Sequence, residues 1–176
     1  MNEAEALAIV NQILDEHKEI HANFESLGAV SGDIEAAARL HSDKTKDYFV
    51  PKSLDDQGKG LDRWRQILES IDAGLKAHFN KEETALTEAF QREGTPEMAS
   101  ALRQLLAEHD DINKHVAKLM KDAEDIATGG LRIEVWEGTG WGMKTNIQRL
   151  QEQIAAHAES ERQLLGQMKT HLSKKS

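Results

Sequence analysis

Two stretches of this 176-residue chain each carry a histidine and a glutamate one helical turn apart, His78-x-x-x-Glu82 and His157-x-x-x-Glu161. Both pairs interrupt apolar stripes. Around the second pair the stripe reads Met143, Ile147, Leu150, Ile154, His157, Glu161, Leu164, Met168, with steps of four and three that keep one helix face. Around the first it reads Trp64, Leu68, Ile71, Leu75, His78, Glu82, Ala85 or Leu86, Ala89. Burying such a pair is costly unless it is paired or bound to metal. Two more faces carry histidines. One is Leu7, Val10, Leu14, His17, His21, Phe24; the other is Met98, Leu102, Leu105, His109, Ile112, Val116, Leu119, Ala123, Ile126.

These residue types point to a dinuclear metal centre. A carboxylate one turn from an imidazole can bridge two metals while the imidazole caps one. Two such pairs give two bridges and one histidine per metal, and His17 and His109 add one each. The candidate ligands are His17, His21, His78, Glu82, His109, His157 and Glu161. Mixed nitrogen and oxygen ligation with open positions favours a non-haem di-iron site over structural zinc, which prefers four closed ligands. Neither Glu-x-x-His nor His-Glu-x-x-His occurs, which disfavours the ferritin-like di-iron arrangement and the zincin proteases. Glu16, Glu83 and Glu108 flank candidate ligands but point off the stripes, so a solvated position is expected for each, with support of a ligand from behind as the alternative.

The elements that must position these residues are helices. Ala, Glu, Leu, Lys and Gln are plentiful, and proline occurs only at Pro51 and Pro96. The first helix is expected from Asn2 or Glu3 to Leu27, stopped by Gly28. A break at Ser31-Gly32-Asp33 would lead into a short extra helix from Ile34 to about Phe49. A polar loop through Pro51 and residues 55–60 follows. Long helices are then expected over 61–92 and 96–127, with Gly94 as stop, Thr95 as N-cap and Pro96 at N1. Thr128-Gly129-Gly130 ends the latter. A glycine-interrupted stretch with Trp136 and Trp141 leads into the last helix, which frays near Leu172. The expected fold is all-α, a single-domain, up-down-up-down four-helix bundle over 1–176 with the extra helix and loop at 33–60.

The heights of His78, His109 and His157 agree with one central layer, while His17, about ten residues before Gly28, does not match His78, about seventeen after Leu61, across the extra segment 33–60. His78 lies about fifteen residues before the Gly94 turn and His109 about fifteen after it, so at roughly 1.5 Å per residue they face each other. His109 and His157 stand similarly about the turn at Gly129-Gly130. Glu16-His17-Lys18-Glu19-Ile20 resembles Glu108-His109-Asp110-Asp111-Ile112, and the two His-x-x-x-Glu pairs match, so the halves repeat and predict a pseudo-twofold site.

Composition bounds the partners. The net charge of −9 argues against nucleic acid and anionic membrane surfaces. The absence of cysteine removes disulfides, thiolate metal sites and Fe–S clusters. No run of apolar residues is long enough to span a membrane, and the acidic N-terminus does not read as a secretory signal, so a cytoplasmic monomer or homodimer is expected.

His17, His78-x-x-x-Glu82, His109 and His157-x-x-x-Glu161 together resemble the hemerythrin-like, HHE cation-binding family, over nearly the whole chain apart from 33–60. The resemblance implies a four-helix bundle holding two iron ions in an oxo- or hydroxo-bridged centre. It also implies a small ligand such as dioxygen, nitric oxide or hydrogen peroxide; members carry or sense oxygen, respond to nitric oxide, handle peroxide, or store and repair iron. A non-catalytic iron-binding, sensing or storage module is the alternative reading. Two departures from the oxygen carriers are visible. Their third helix has His-x-x-x-His, where Asn113 follows His109 here; their fourth has His-x-x-x-x-Asp, where Glu161 closes the pair here. A fifth histidine stands instead on the first helix, at His21. These departures weigh against reversible oxygen carriage and leave di-metal binding in place.

Overall fold

The computed structural model describes residues 2–42, 60–128 and 132–174, with side-chain surroundings for all of these except 28–42, 60–64, 127–128, 133–134 and 136–137. Expectations for Tyr48, Phe49, Pro51, the loop at 55–59, Gly129-Gly130 and the ends of the chain lie outside the described residues. So do those for the side chains of Trp64, Trp136 and the apolar face of 34–40.

The chain is an all-α helical bundle, and among the described residues no strand forms. Helix α1 spans Glu3–Ser42 and α2 spans Gly60–Lys81. A π-helical segment, Glu82–Leu86, continues α2 into α3 at Thr87–Glu93. Helices α4 (Pro96–Leu106), α5 (His109–Thr128) and α6 (Ile133–Ser173) complete the order. A capping box starts α1: the Asn2 amide donates to Glu5 Oε2 at 2.7 Å and the Glu5 amide donates to Asn2 Oδ1 at 2.9 Å. Thr95 caps α4 by accepting from the Met98 amide at 3.3 Å, with Pro96 at N1.

Three expectations are corrected. First, α1 does not stop at Gly28 or break at Ser31-Gly32-Asp33 but runs to Ser42. A glycine inside a helix costs only about 1 kcal/mol, and the strong helix formers Ala36, Ala37, Ala38, Arg39 and Leu40 follow it. Second, the helix over 96–127 is interrupted at Ala107-Glu108, where the Glu108 amide bonds the Leu105 carbonyl at 3.0 Å in a tighter turn. Third, α6 passes without interruption through Gly138, Gly140 and Gly142. Gly94 ends α3 as expected, with φ −83° and ψ 178°. Its requirement for glycine is steric, because a Cβ there would lie 2.6 Å from the Phe90 carbonyl oxygen.

The buried face of α1 is also rotated from the expected stripe. Ala6, Val10, Ile13, Ile20, Phe24 and Leu27 are buried, while Leu7 and His21 face outward. Both stripes share Val10, His17 and Phe24. The one adopted buries Ile13 and Ile20 rather than a second imidazole, and so avoids desolvating a polar ring.

The fold comprises two compact units. The first comprises Met1–His21, Ala73–Asn113 and Glu152–Ser176, and the second Ala22–Asp72 and Lys114–Gln151. The first has an apolar cluster built from Ala6, Val10, Ile13, Leu86, Phe90, Leu102, Leu165 and Met168, among others. The second buries Leu27, Leu68, Leu119, Ile126 and Ile147. Its Gln151 side-chain amide donates to the Phe24 carbonyl at 2.9 Å. All the candidate ligands fall within the first unit.

Candidate metal centre

Within the first unit, α1, α2, the π segment, α5 and α6 bring six polar side chains together. His78, Glu82, His109, His157 and Glu161 are buried, at 1–3% exposure. His17 is less so, with a side chain 15% exposed. Their ligand atoms form two groups, His17, His78, Glu82 and Glu161 in one and Glu82, His109 and His157 in the other, with the atoms of each group within 4.8 Å of one another. Glu82 belongs to both. Its Oε1 lies 2.6 Å from His78 Nε2 and its Oε2 lies 2.8 Å from His109 Nε2. Glu161 Oε2 lies 2.8 Å from His17 Nε2. His21 is exposed and belongs to neither group.

The π segment follows directly from Glu82. The Thr87 amide bonds the Glu82 carbonyl, one residue further than in an α-helix, and the Thr87 hydroxyl donates to the same oxygen at 2.9 Å. The added residue decides between Ala85 and Leu86. Glu82, Leu86, Ala89 and Phe90 are all buried, and Ala85 is not.

Three of the four imidazoles are held from behind by carboxylates. His78 Nδ1 is 3.0 Å from Glu16, His109 Nδ1 is 2.9 Å from Glu83, and His157 Nδ1 is 3.0 Å from Glu108. Each contact fixes a proton on Nδ1 and turns the Nε2 lone pair inward, the orientation a metal-binding imidazole requires. Glu16 is itself gripped by Lys81 and by the Gln12 amide. The alternative role for these carboxylates is the one adopted, although Glu83 and Glu108 also stay about half exposed. A readable signal was present, since each sits beside a core polar residue in sequence. Their pairing with an imidazole of another helix was not readable. Phe79 was also missed, being off the stripe. Its ring is buried and stacks on His109 with centroids 3.8 Å apart.

Burial opposes charge on His78 and His109, yet the neighbouring carboxylates, Glu82 foremost, outweigh it and hold both imidazoles above their ordinary value. Burial likewise opposes charge on Glu82, but the close approach of the His109 and His78 imidazoles overcomes it and holds the carboxyl down at about 2. Burial also raises the Glu16 carboxyl, and its bonds to Lys81 and His78 outweigh that and lower it.

The residues fit a cation. Glu82 Oε1, His109 Nε2, His157 Nε2 and both Glu161 oxygens are buried without an aligned hydrogen bond, although several lie within 3 Å of an opposite group. Proximity without alignment leaves lone pairs unsatisfied at a cost of about 1–3 kcal/mol each. A positive ion satisfies imidazole nitrogens and carboxylate oxygens together.

Of the comparisons with known proteins, the family comparison bears on this site. No curated protein and no solved structure matches the chain. The family described as hemerythrin HHE cation binding domain matches residues 8–168, which includes every residue of both groups. The chain therefore belongs to the hemerythrin HHE cation-binding family.

Proposed function

We propose that residues 1–176 form one hemerythrin-like domain that holds two iron ions in a bridged centre and binds dioxygen, nitric oxide or hydrogen peroxide. The observation that carries this reading is the set of five buried, unaligned donor atoms shared between two groups that meet at Glu82. His17, His78, Glu82 and Glu161 would hold one ion; Glu82, His109 and His157 would hold the other. Iron held there would supply one-electron redox chemistry and open positions for a small ligand. The chain's own contribution is to orient. Glu16, Glu83 and Glu108 fix three imidazoles, and buried Ile20, Ile112 and Phe79 keep water away.

Metal analysis with optical spectra, before and after oxygen, peroxide and nitric oxide, tests the reading. About two irons per chain and near-ultraviolet charge-transfer bands are expected, and both are lost in His78→Ala or Glu161→Ala. Purified protein that takes up no iron under anaerobic conditions would sink it. The same unsatisfied donors support a second reading, a non-catalytic iron-binding, sensing or storage module stabilised by its metal. Full iron loading and a large melting shift, with no spectral response to any of the three ligands, select that reading.

A further inference from the structure

The four imidazoles are not equivalently supported. The carboxylates form a directed chain around the site: Glu16 of α1 holds His78 of α2, Glu83 of the π segment holds His109 of α5, and Glu108, just before α5, holds His157 of α6. The last link, from α6 back to His17 of α1, is missing. Each carboxylate that serves is the sequence neighbour of a core residue, namely His17, Glu82 or His109. The neighbours of His157 and Glu161 are Ala156, Ala158, Ser160 and Arg162, none of them a carboxylate. Arg162 is turned to Glu159, its Nε donating at 2.8 Å, and Ser160 donates to the Ala156 carbonyl at 3.0 Å. Among the described residues nothing is bonded to His17 Nδ1; its polar contacts run through Nε2, to His78 and Glu161.

Packing follows the same division. His109 and His157 meet edge to face at 5.1 Å, with Phe79 stacked on His109 and edge-on to His157 at 6.1 Å. His17 and His78 form a similar pair at 4.8 Å, but the His17 side chain is 15% exposed against 3% for the other three. An imidazole with no partner on Nδ1 and a partly exposed side chain is restrained less and is reachable from solvent.

We propose that the two metal positions are inequivalent, and that the position closed by His17 is the exchangeable one, where the side chain yields to an external ligand of imidazole size or smaller. The proposal rests on the metal-binding reading above. It assigns His17 as the replaceable ligand and Glu16, Glu83 and Glu108 as positioning residues for the other three imidazoles.

The test uses the full chain, stripped of metal and titrated anaerobically with Co(II), whose visible bands report ligation. His17→Gly and His109→Gly are compared, with helix content checked by circular dichroism. Expected for His17→Gly is one tightly bound ion, with the second weakened about 10- to 100-fold and restored by added imidazole. Imidazole should not restore His109→Gly, whose cavity lies beneath Phe79. Equal rescue of both variants, or two unweakened ions in His17→Gly, overturns the proposal. Where His17→Gly does not fold, chelator stripping of the unmodified protein decides. Two phases, one ion leaving at least about tenfold faster, support the proposal, and simultaneous loss of both ions overturns it. Failure of the unmodified protein to bind Co(II) or Fe(II) at all instead defeats the metal-binding reading.

Discussion

Phe79 lies face to face with His109, their rings 3.8 Å between centroids and 11° from parallel. The stack blocks rotation of an imidazole whose Nδ1 is already tied to Glu83. Phe79→Ala should therefore act twice. Loss of a buried phenyl in the first unit should destabilise the protein by about 3–5 kcal/mol. Metal bound through His109 and His157 should also weaken, more than after an equally destabilising change at Phe90, which packs in the apolar cluster away from the imidazoles. Denaturant melts and metal titrations of the two variants make the comparison.

The outer carboxylates should tune the site without building it. Glu16→Gln, Glu83→Gln and Glu108→Gln each keep an oxygen that can accept from Nδ1 and remove the charge. Each should lower metal affinity, by roughly 10-fold at Glu83 and Glu108 and up to about 100-fold at Glu16. The gradation follows exposure. Glu83 and Glu108 are about half exposed, at 52% and 49%, while Glu16 is 19% exposed and held by Lys81. Melting of the metal-free protein should change little at Glu83 and Glu108, since exposed ion pairs contribute about 0–1 kcal/mol. Competition titration against a chelator of known affinity measures the first effect and calorimetry the second.

The metal-free protein should be most stable in mildly acidic solution. Glu82 is held down to about 2 from an ordinary 4.5, so its contribution is complete above 4.5 and is lost as pH falls towards 2. His78 and His109 are raised above an ordinary 6.5, so theirs is complete below 6.5 and is lost as pH rises through their raised values. The melting temperature should therefore peak between about pH 4.5 and 6.5. Metal needs neutral imidazoles, so the stabilisation from bound metal should grow as pH rises above that window. A melting temperature that climbs steadily from pH 6.5 to 8.5 in metal-free protein would contradict this assignment of charges.

Gly94→Ala should destabilise the junction between α3 and α4 by about 1–3 kcal/mol, the usual cost of overpacking. The cause is the contact of the new Cβ with the Phe90 carbonyl, 2.6 Å away, rather than backbone conformation. Asn is tolerated in left-handed turns but carries the same Cβ, so Gly94→Asn should be at least as damaging as Gly94→Ala. Thermal melts of the two variants separate the explanations.

The six central polar residues were legible because of what their positions cost. An imidazole or carboxylate at the middle of a three-four apolar stripe has to be satisfied by something, and the family match covers all six. Helix propensity and the Gly94-Thr95-Pro96 punctuation likewise determined an all-α chain and the start of α4. What periodicity left open, it left open for a physical reason. Stripes through Leu14 and His21, or through Ile13 and Ile20, are equally periodic, and only packing selected the second and turned His21 outward. The π segment at Glu82 and the tight turn at Glu108 both depart from the 3.6-residue repeat that any stripe assumes. Both sit at the carboxylates that reach across to another helix. Whether Glu16, Glu83 and Glu108 face water or an imidazole depends on which helices lie beside them. That pairing, and with it the partial exposure of His17, belongs to the tertiary structure alone.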